Sequence, residues 1–220
     1  MKKTLLAAGL AAIVSAGAAS ASTIDFSSNF GAPLANGAFL DGAFDFGNGL
    51  TGTSSTSGGS GLAQVFDSSQ DRNPRNLTED RDLLQPRPWG GGERNTELGN
   101  VLIVNEDEDR IDDNARGGII TFMFDSVVSF TGVTLIDIER GQRLTITGDG
   151  FDSGGLRNND NRFSVFSPDE PVLTRSLSFS FGGSGAIDNL EVAAVPLPAP
   201  ALMLIAGLGA LGAMRRRKKA

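Results

Sequence analysis

Ser176-Leu177-Ser178-Phe179-Ser180-Phe181 decides the fold class of this chain. Large apolar and hydroxyl side chains alternate without a break, the period of a β-strand with one face buried and one face wet. The same period recurs upstream. Ile120, Phe122 and Phe124 fall on one face of a strand, and Thr121, Met123 and Asp125 on the other. Leu144 and Ile146 alternate with Thr145 and Thr147. Residues 133–138 are almost uniformly apolar and read as a central strand, and residues 101–104 as a short buried one. Residues 22–26 and 186–192 read as the first and last strands. Clusters of Gly, Asn, Asp and Ser at 47–60, 148–161 and 182–185 separate these runs. The Ser/Gly/Thr-rich stretch 51–61 reads as a mobile loop or linker. Residues 70–100, with three of the nine prolines and the single Trp, read as one long excursion. Between 22 and 194 no dozen residues carries the i, i+3, i+4 pattern of a helix, and no repeat of fixed period occurs. The expectation is an all-β body, an antiparallel β-sandwich of jelly-roll-like type with seven to ten strands.

Composition narrows the chemistry. The 220 residues include no Cys, no His and no Tyr. That excludes disulfides, thiolate or imidazole zinc sites, and any nucleophile activated by an imidazole. All 26 Asp and Glu lie between Asp25 and Glu191, whereas seven of the 19 basic residues sit at the two ends. The middle therefore holds 12 basic residues, all Arg, and a net charge of −14. Such a surface repels nucleic acid and anionic membranes and favours divalent cations.

Both ends read as targeting signals. Lys2 and Lys3 precede the apolar stretch 5–14, and Ala19-Ser20-Ala21 is a small-x-small cleavage site. Residues 1–21 therefore read as a signal peptide, a signal helix cut by signal peptidase after Ala21. At the other end, Val195-Pro196-Leu197-Pro198-Ala199 is followed by Pro200, the 14 apolar residues 201–214, and Arg215-Arg216-Arg217-Lys218-Lys219. At roughly 1.5 Å per residue the run spans about 21 Å, short of a hydrocarbon core of roughly 30 Å. The prolyl stretch and snorkelling basic stems extend it to a transmembrane helix that just crosses. The basic cluster then lies in the cytoplasm and the acidic body outside. Residues 22–194 number 173, the size of one domain.

A proline-rich motif, a short apolar helix and a terminal basic cluster together resemble the PEP-CTERM sorting signal, and VPLPA at 195–199 resembles its VPLPA-CTERM variant. The resemblance covers residues 195–220. It implies an exosortase substrate of a Gram-negative bacterium, processed by a membrane protease near the motif and delivered to the cell surface or extracellular matrix. The alternative is a tail anchor that is never cut. In the body, GNVLIV at 99–104, DDNARGGIITFMFD at 112–125 and GSGAIDNLEV at 183–192 resemble β-sandwich domains found ahead of such signals. Those domains are similar to carbohydrate-binding jelly rolls, which implies a binding or matrix role, often with structural calcium.

The candidate sites are acidic. Six carboxylates crowd residues 105–114, from Asn105-Glu106-Asp107-Glu108-Asp109 to Asp112-Asp113-Asn114. They form either a solvated turn or part of a calcium site, since calcium takes 6–8 oxygens and the spacing is not that of an EF-hand. Asp80 and Asp82 in the excursion, with Glu106, Asp113 and Asp188, are the candidate ligands, and Asp25 is a weaker one that approaches Asp188 if the first and last strands are neighbours. By strand parity Asp188 shares the core face with Leu190 and Val192, where a carboxylate is costly unless paired or bound to metal. Trp89, in Pro86-Arg87-Pro88-Trp89-Gly90-Gly91-Gly92, is the aromatic best suited to stack on a sugar. These readings favour a non-catalytic binding or structural domain associated with extracellular polysaccharide. The alternative is a secreted carbohydrate-active enzyme using an Asp/Glu pair about 5–10 Å apart, one with a raised pKa.

Overall fold

The computed structural model describes residues 21–58, 61–69, 83, 98–107, 110–157 and 162–195. Ser20–Val195 form one compact unit. In chain order the strands are β1 (Ala21–Ile24), β2 (Ser28–Asn29), β3 (Ala32–Pro33), β4 (Gly42–Asp45), β5 (Thr51–Ser57), β6 (Ala63–Asp67) and β7 (Asn100–Asp107). They continue with β8 (Arg110–Asp113), β9 (Gly118–Ile136), β10 (Leu144–Gly148), β11 (Phe151–Leu156), β12 (Phe163–Phe166), β13 (Val172–Phe181) and β14 (Ala186–Ala194). No α-helix occurs among the described residues. The fold is all-β, and every strand pair in it is antiparallel. The predicted signal helix and transmembrane helix lie outside the described residues.

β9, 19 residues long, organises the large sheet. Its first half lies between β13 and β5, with Phe179 opposite Ile120 and Thr56 opposite Ile120 on the other side. Its second half lies between β14 on one side and β12 with the start of β13 on the other. β10 and β11 extend the sheet beyond β13, β4 extends it beyond β5, and β7 and β6 extend it beyond β14. This large antiparallel sheet, bent around a shared core, is consistent with a β-sandwich.

The alternation read from the sequence is the alternation of burial. Ile120, Phe122 and Phe124 are buried, as are Leu144 and Ile146, and Leu177, Phe179 and Phe181. Phe122 is the hub of an aromatic core, with ring centroids 5.8 Å from Phe44, 6.1 Å from Phe179 and 6.4 Å from both Phe26 and Phe124. Edge-to-face and offset arrangements at these separations add to the burial of the rings. Val133, Leu135 and Ile136 are buried between two paired neighbours, as a central strand requires.

Three segments differ from expectation. Thr51–Ser57 is no linker but β5, paired on both sides with β4 and β9. Its small residues are what the position demands: a Cβ at Gly52 would collide with the Met123 carbonyl, and the buried Ser54 hydroxyl donates to the Leu40 carbonyl. Phe151–Leu156, inside a stretch rich in turn residues, is β11. The acidic run is not a plain loop, because β7 folds back on β8 with Asn105 opposite Asp113. Short hairpins of this kind raise the count to fourteen strands among the described residues. One glycine is obligatory in the turn into β9. Gly117 has φ +70°, and a Cβ there would collide with the Phe181 carbonyl.

Phe122→Ala removes the hub ring from a fully buried site. It is expected to lower unfolding free energy by about 3–5 kcal/mol in urea titration, and a loss below about 1 kcal/mol contradicts the central placement of this ring.

Candidate functional site

Asp188 has no accessible surface, and its position follows from an irregularity in β14. The strand changes partner there. Ala186 and Ile187 pair with Ile103 and Leu102 of β7, whereas Leu190 to Ala193 pair with Ile24 to Ala21 of β1. Asp188 and Asn189 fall between the two partners. On the other side Asp188 lies opposite Thr134 of β9, and the register shifts before Glu191 meets Gly132. Asn189 adopts φ 47°, a left-handed conformation that Asn tolerates better than most residues.

This bulge corrects the parity argument. Residues directly opposite on neighbouring strands share a face. Ile187 and Leu135 belong to the main core, with Leu190 and Val192. Ala186 and Ile136 belong to a second cluster on the opposite face, with Phe66, Leu83, Val101 and Ile103. Asp188, paired with Thr134, lies on that second face and not with Leu190 and Val192. The extra residue reverses the alternation. Asp188 is buried all the same, because the second face is covered as well.

The carboxyl is half satisfied. Asn189 Nδ2 donates to Asp188 Oδ2 at 2.9 Å, while Oδ1 has no hydrogen-bond partner. Asp25 follows Ile24, the residue paired with Leu190, which brings the first and last strands together as the sequence reading expected. Its Oδ1 accepts hydrogen bonds from the Ser27 N–H at 3.0 Å and the Ser27 hydroxyl at 2.6 Å. Burial pushes the Asp188 carboxyl up from 3.8 to about 7; a backbone hydrogen bond from Asn189 lowers it, and the negative charge of Asp25 raises it further. A carboxyl titrating near 7 has the acidity of a general acid. Asp188 has no surface through which a glycosidic oxygen can reach it.

The other predicted residues are dispersed. Asp113 is buried, and its Oδ2 accepts the Gly185 N–H, so it ties the end of β8 to the turn before β14. Glu106 is exposed on β7. Among the described residues no group of three or more carboxylates is placed to hold a metal ion, so Glu106, Asp113 and Asp188 form no such group. Asp80, Asp82 and Trp89 lie outside the described residues. Leu83, next to Asp82, is buried in the cluster that covers the Asp188 face. Of the VPLPA motif only Val195 is described; its N–H donates to the Val127 carbonyl at 3.1 Å, one residue past the end of β14.

A cavity of about 520 Å³ opens between residues 149–153 and 166–173. The half-buried rings of Phe151 and Phe166, 6.5 Å apart, and Pro168 and Pro171 give it an apolar floor. Asp149, Asp152, Asp169 and Glu170 give it an acidic rim. The sequence reading singled out Trp89 as a platform and missed these two Phe residues, because they are 15 positions apart on different strands. No protein-family model matches the chain, and no curated protein shows significant similarity to it.

The raised pKa of Asp188 has a signed consequence for stability. Below pH 3.8 the carboxyl is protonated in both folded and unfolded chains. Between 3.8 and about 7 the unfolded chain ionises first, so native stability falls as pH rises, and the loss is complete above about 7. In chelator-treated buffer the melting temperature is expected to fall from pH 5 to pH 8 through a destabilisation of about 3 kcal/mol. Asp188→Asn should flatten that slope; an unchanged slope contradicts the assignment.

Proposed function

We propose that this is an exported, surface- or matrix-sorted protein whose β-sandwich body, of jelly-roll-like type, is a non-catalytic binding or structural module stabilised by calcium and associated with extracellular polysaccharide. The observation that carries the reading is the tail, where VPLPA, an apolar run and a basic cluster stand in series at 195–219. Its counterpart is the secretory signal at 1–21, which exports what the tail then sorts. Signal peptidase and an exosortase-type membrane protease are the processing partners, and the C-terminal helix holds the chain in the membrane until it is cut.

The body suits that destination. It needs no disulfide and holds no thiol, so its folding is indifferent to redox compartment. Its net charge of −14 keeps it clear of nucleic acid and anionic lipid and favours divalent cations. The motif starts one residue after the last strand, so cutting near it leaves the sheet intact. Polysaccharide association is supported by the aromatic floor of Phe151 and Phe166 in the acidic cavity, and Trp89 is a second candidate stacking group by sequence. A catalytic Asp/Glu pair has less support, since the carboxyl with the raised pKa is sealed from substrate.

Two experiments test the two parts. Replacing Pro196 and Pro198 with Ala should leave full-length protein trapped in the inner membrane; normal release contradicts sorting through this motif. Trp89→Ala and Phe151→Ala should each lower retention on the producer's extracellular polysaccharide several-fold. Retention unchanged in both variants and in their combination removes polysaccharide from the reading.

A further inference from the structure

The buried carboxylate and its exposed neighbour form a site different from the one the acidic run advertises. Asp188 and Asp25 come from the last and first strands, at the point where β14 passes from β7 to β1. Asp188 is opposite Thr134 on the face away from the main core, and Asp25 follows Ile24, the partner of Leu190, near enough for its negative charge to act on Asp188. Each carboxylate has one oxygen committed to a neighbour. Asn189 Nδ2 holds Asp188 Oδ2, and Ser27 holds Asp25 Oδ1. The remaining oxygen of Asp188 is buried and has no partner.

A buried carboxylate oxygen without a donor is costly, and a second carboxylate beside it adds repulsion. An Arg is the usual remedy, and among the described residues none is paired with Asp188. A hard divalent cation removes both costs at once: two carboxylates balance its charge, and backbone carbonyls and water complete an oxygen shell of 6–8. From this geometry we infer that Asp188 and Asp25 hold a divalent cation, calcium by its preference for such oxygens, between the two ends of the folded chain. The inference deepens the reading above, in which calcium stabilises the module, by giving the ion two ligands and a task. The ion fastens β1, the strand that begins where the signal peptide ends, to β14, with 162 residues of chain between the two carboxylates. Closing a loop of that length by an ion removes much of the freedom of the unfolded chain. The crowded acids at 105–114 are then a hairpin and not the site.

The test uses full-length protein purified in detergent and stripped with chelator. Its melting temperature is followed at pH 8 as Ca²⁺ alone is added, with K⁺ at matched ionic strength as reference. A saturable rise on the order of 5–10 °C is expected by a hundredfold excess over Kd. Asp188→Asn should abolish the rise. Asp25→Asn, at an exposed position, should raise the Kd for Ca²⁺ at least tenfold. Asp113→Asn, which disturbs the cap on Gly185, should lower the starting temperature and keep the increment. No increment in the unaltered protein overturns the inference, and so does an increment that survives both Asp188→Asn and Asp25→Asn. A melting temperature that rises on acidification but not with Ca²⁺ at pH 8 also overturns it, because a proton then satisfies the carboxyl. Loss of polysaccharide retention or of sorting leaves the calcium increment untouched, so the functional reading and this site fail separately.

Discussion

One strand has to serve both halves of the body. β9 runs through 19 residues and borders β13 and β5 at its start, then β14, β12 and the first residues of β13 at its end. Along it the residues facing the main core are Ile120, Phe122 and Phe124, then Val128 and Phe130, and then Val133 and Leu135. The inward set moves from even to odd positions between Phe130 and Val133. Strict alternation cannot do this, so the ladder must slip once. It slips where Gly132 meets Glu191, and a Cβ at Gly132 would come within 3.0 Å of the Glu191 carboxylate.

The same slip accounts for the candidate site. β14 follows β9 and accommodates the shift by inserting a residue at Asn189. Leu190 and Val192 are thereby returned to the core, and Asp188 is left behind on the other face, under the second apolar cluster. A bulge that preserves the core thus creates a buried charge, between the part of β14 paired with β7 and the part paired with β1. The charge must be neutralised by a proton or by a cation. Either way stability becomes a function of the medium.

Much of this was legible in the residues and some was not. The strands at 120–124, 144–147 and 176–181 were plain, because each alternates large apolar with hydroxyl or polar side chains and each buries one face. Pairing of the first and last strands was also foreseen, and it brings Asp25 near enough for its charge to act on Asp188. β5 was hidden by composition. Ser, Thr and Gly at 51–57 look like linker residues, yet the Met123 carbonyl excludes any Cβ at Gly52, and the buried Ser54 hydroxyl donates to the Leu40 carbonyl. The face of Asp188 was misread because parity counting assumes an unbroken ladder. The Asp-Asn pair held the missing signal, since Asn is among the few residues that take a left-handed conformation cheaply. The acidic run at 105–114 drew attention by number alone, whereas Asp113 is spent on the Gly185 N–H.

The proposed function has a strand-built acidic body exported and sorted by signals at its two ends. The intact mass of the protein recovered from the producing cell's surface or medium tests that most directly. A species that begins at Ser22 and lacks the apolar run and basic cluster after the VPLPA motif is the predicted result. An unshortened chain of 220 residues, recovered from the cytosol and absent from envelope and medium, would contradict it.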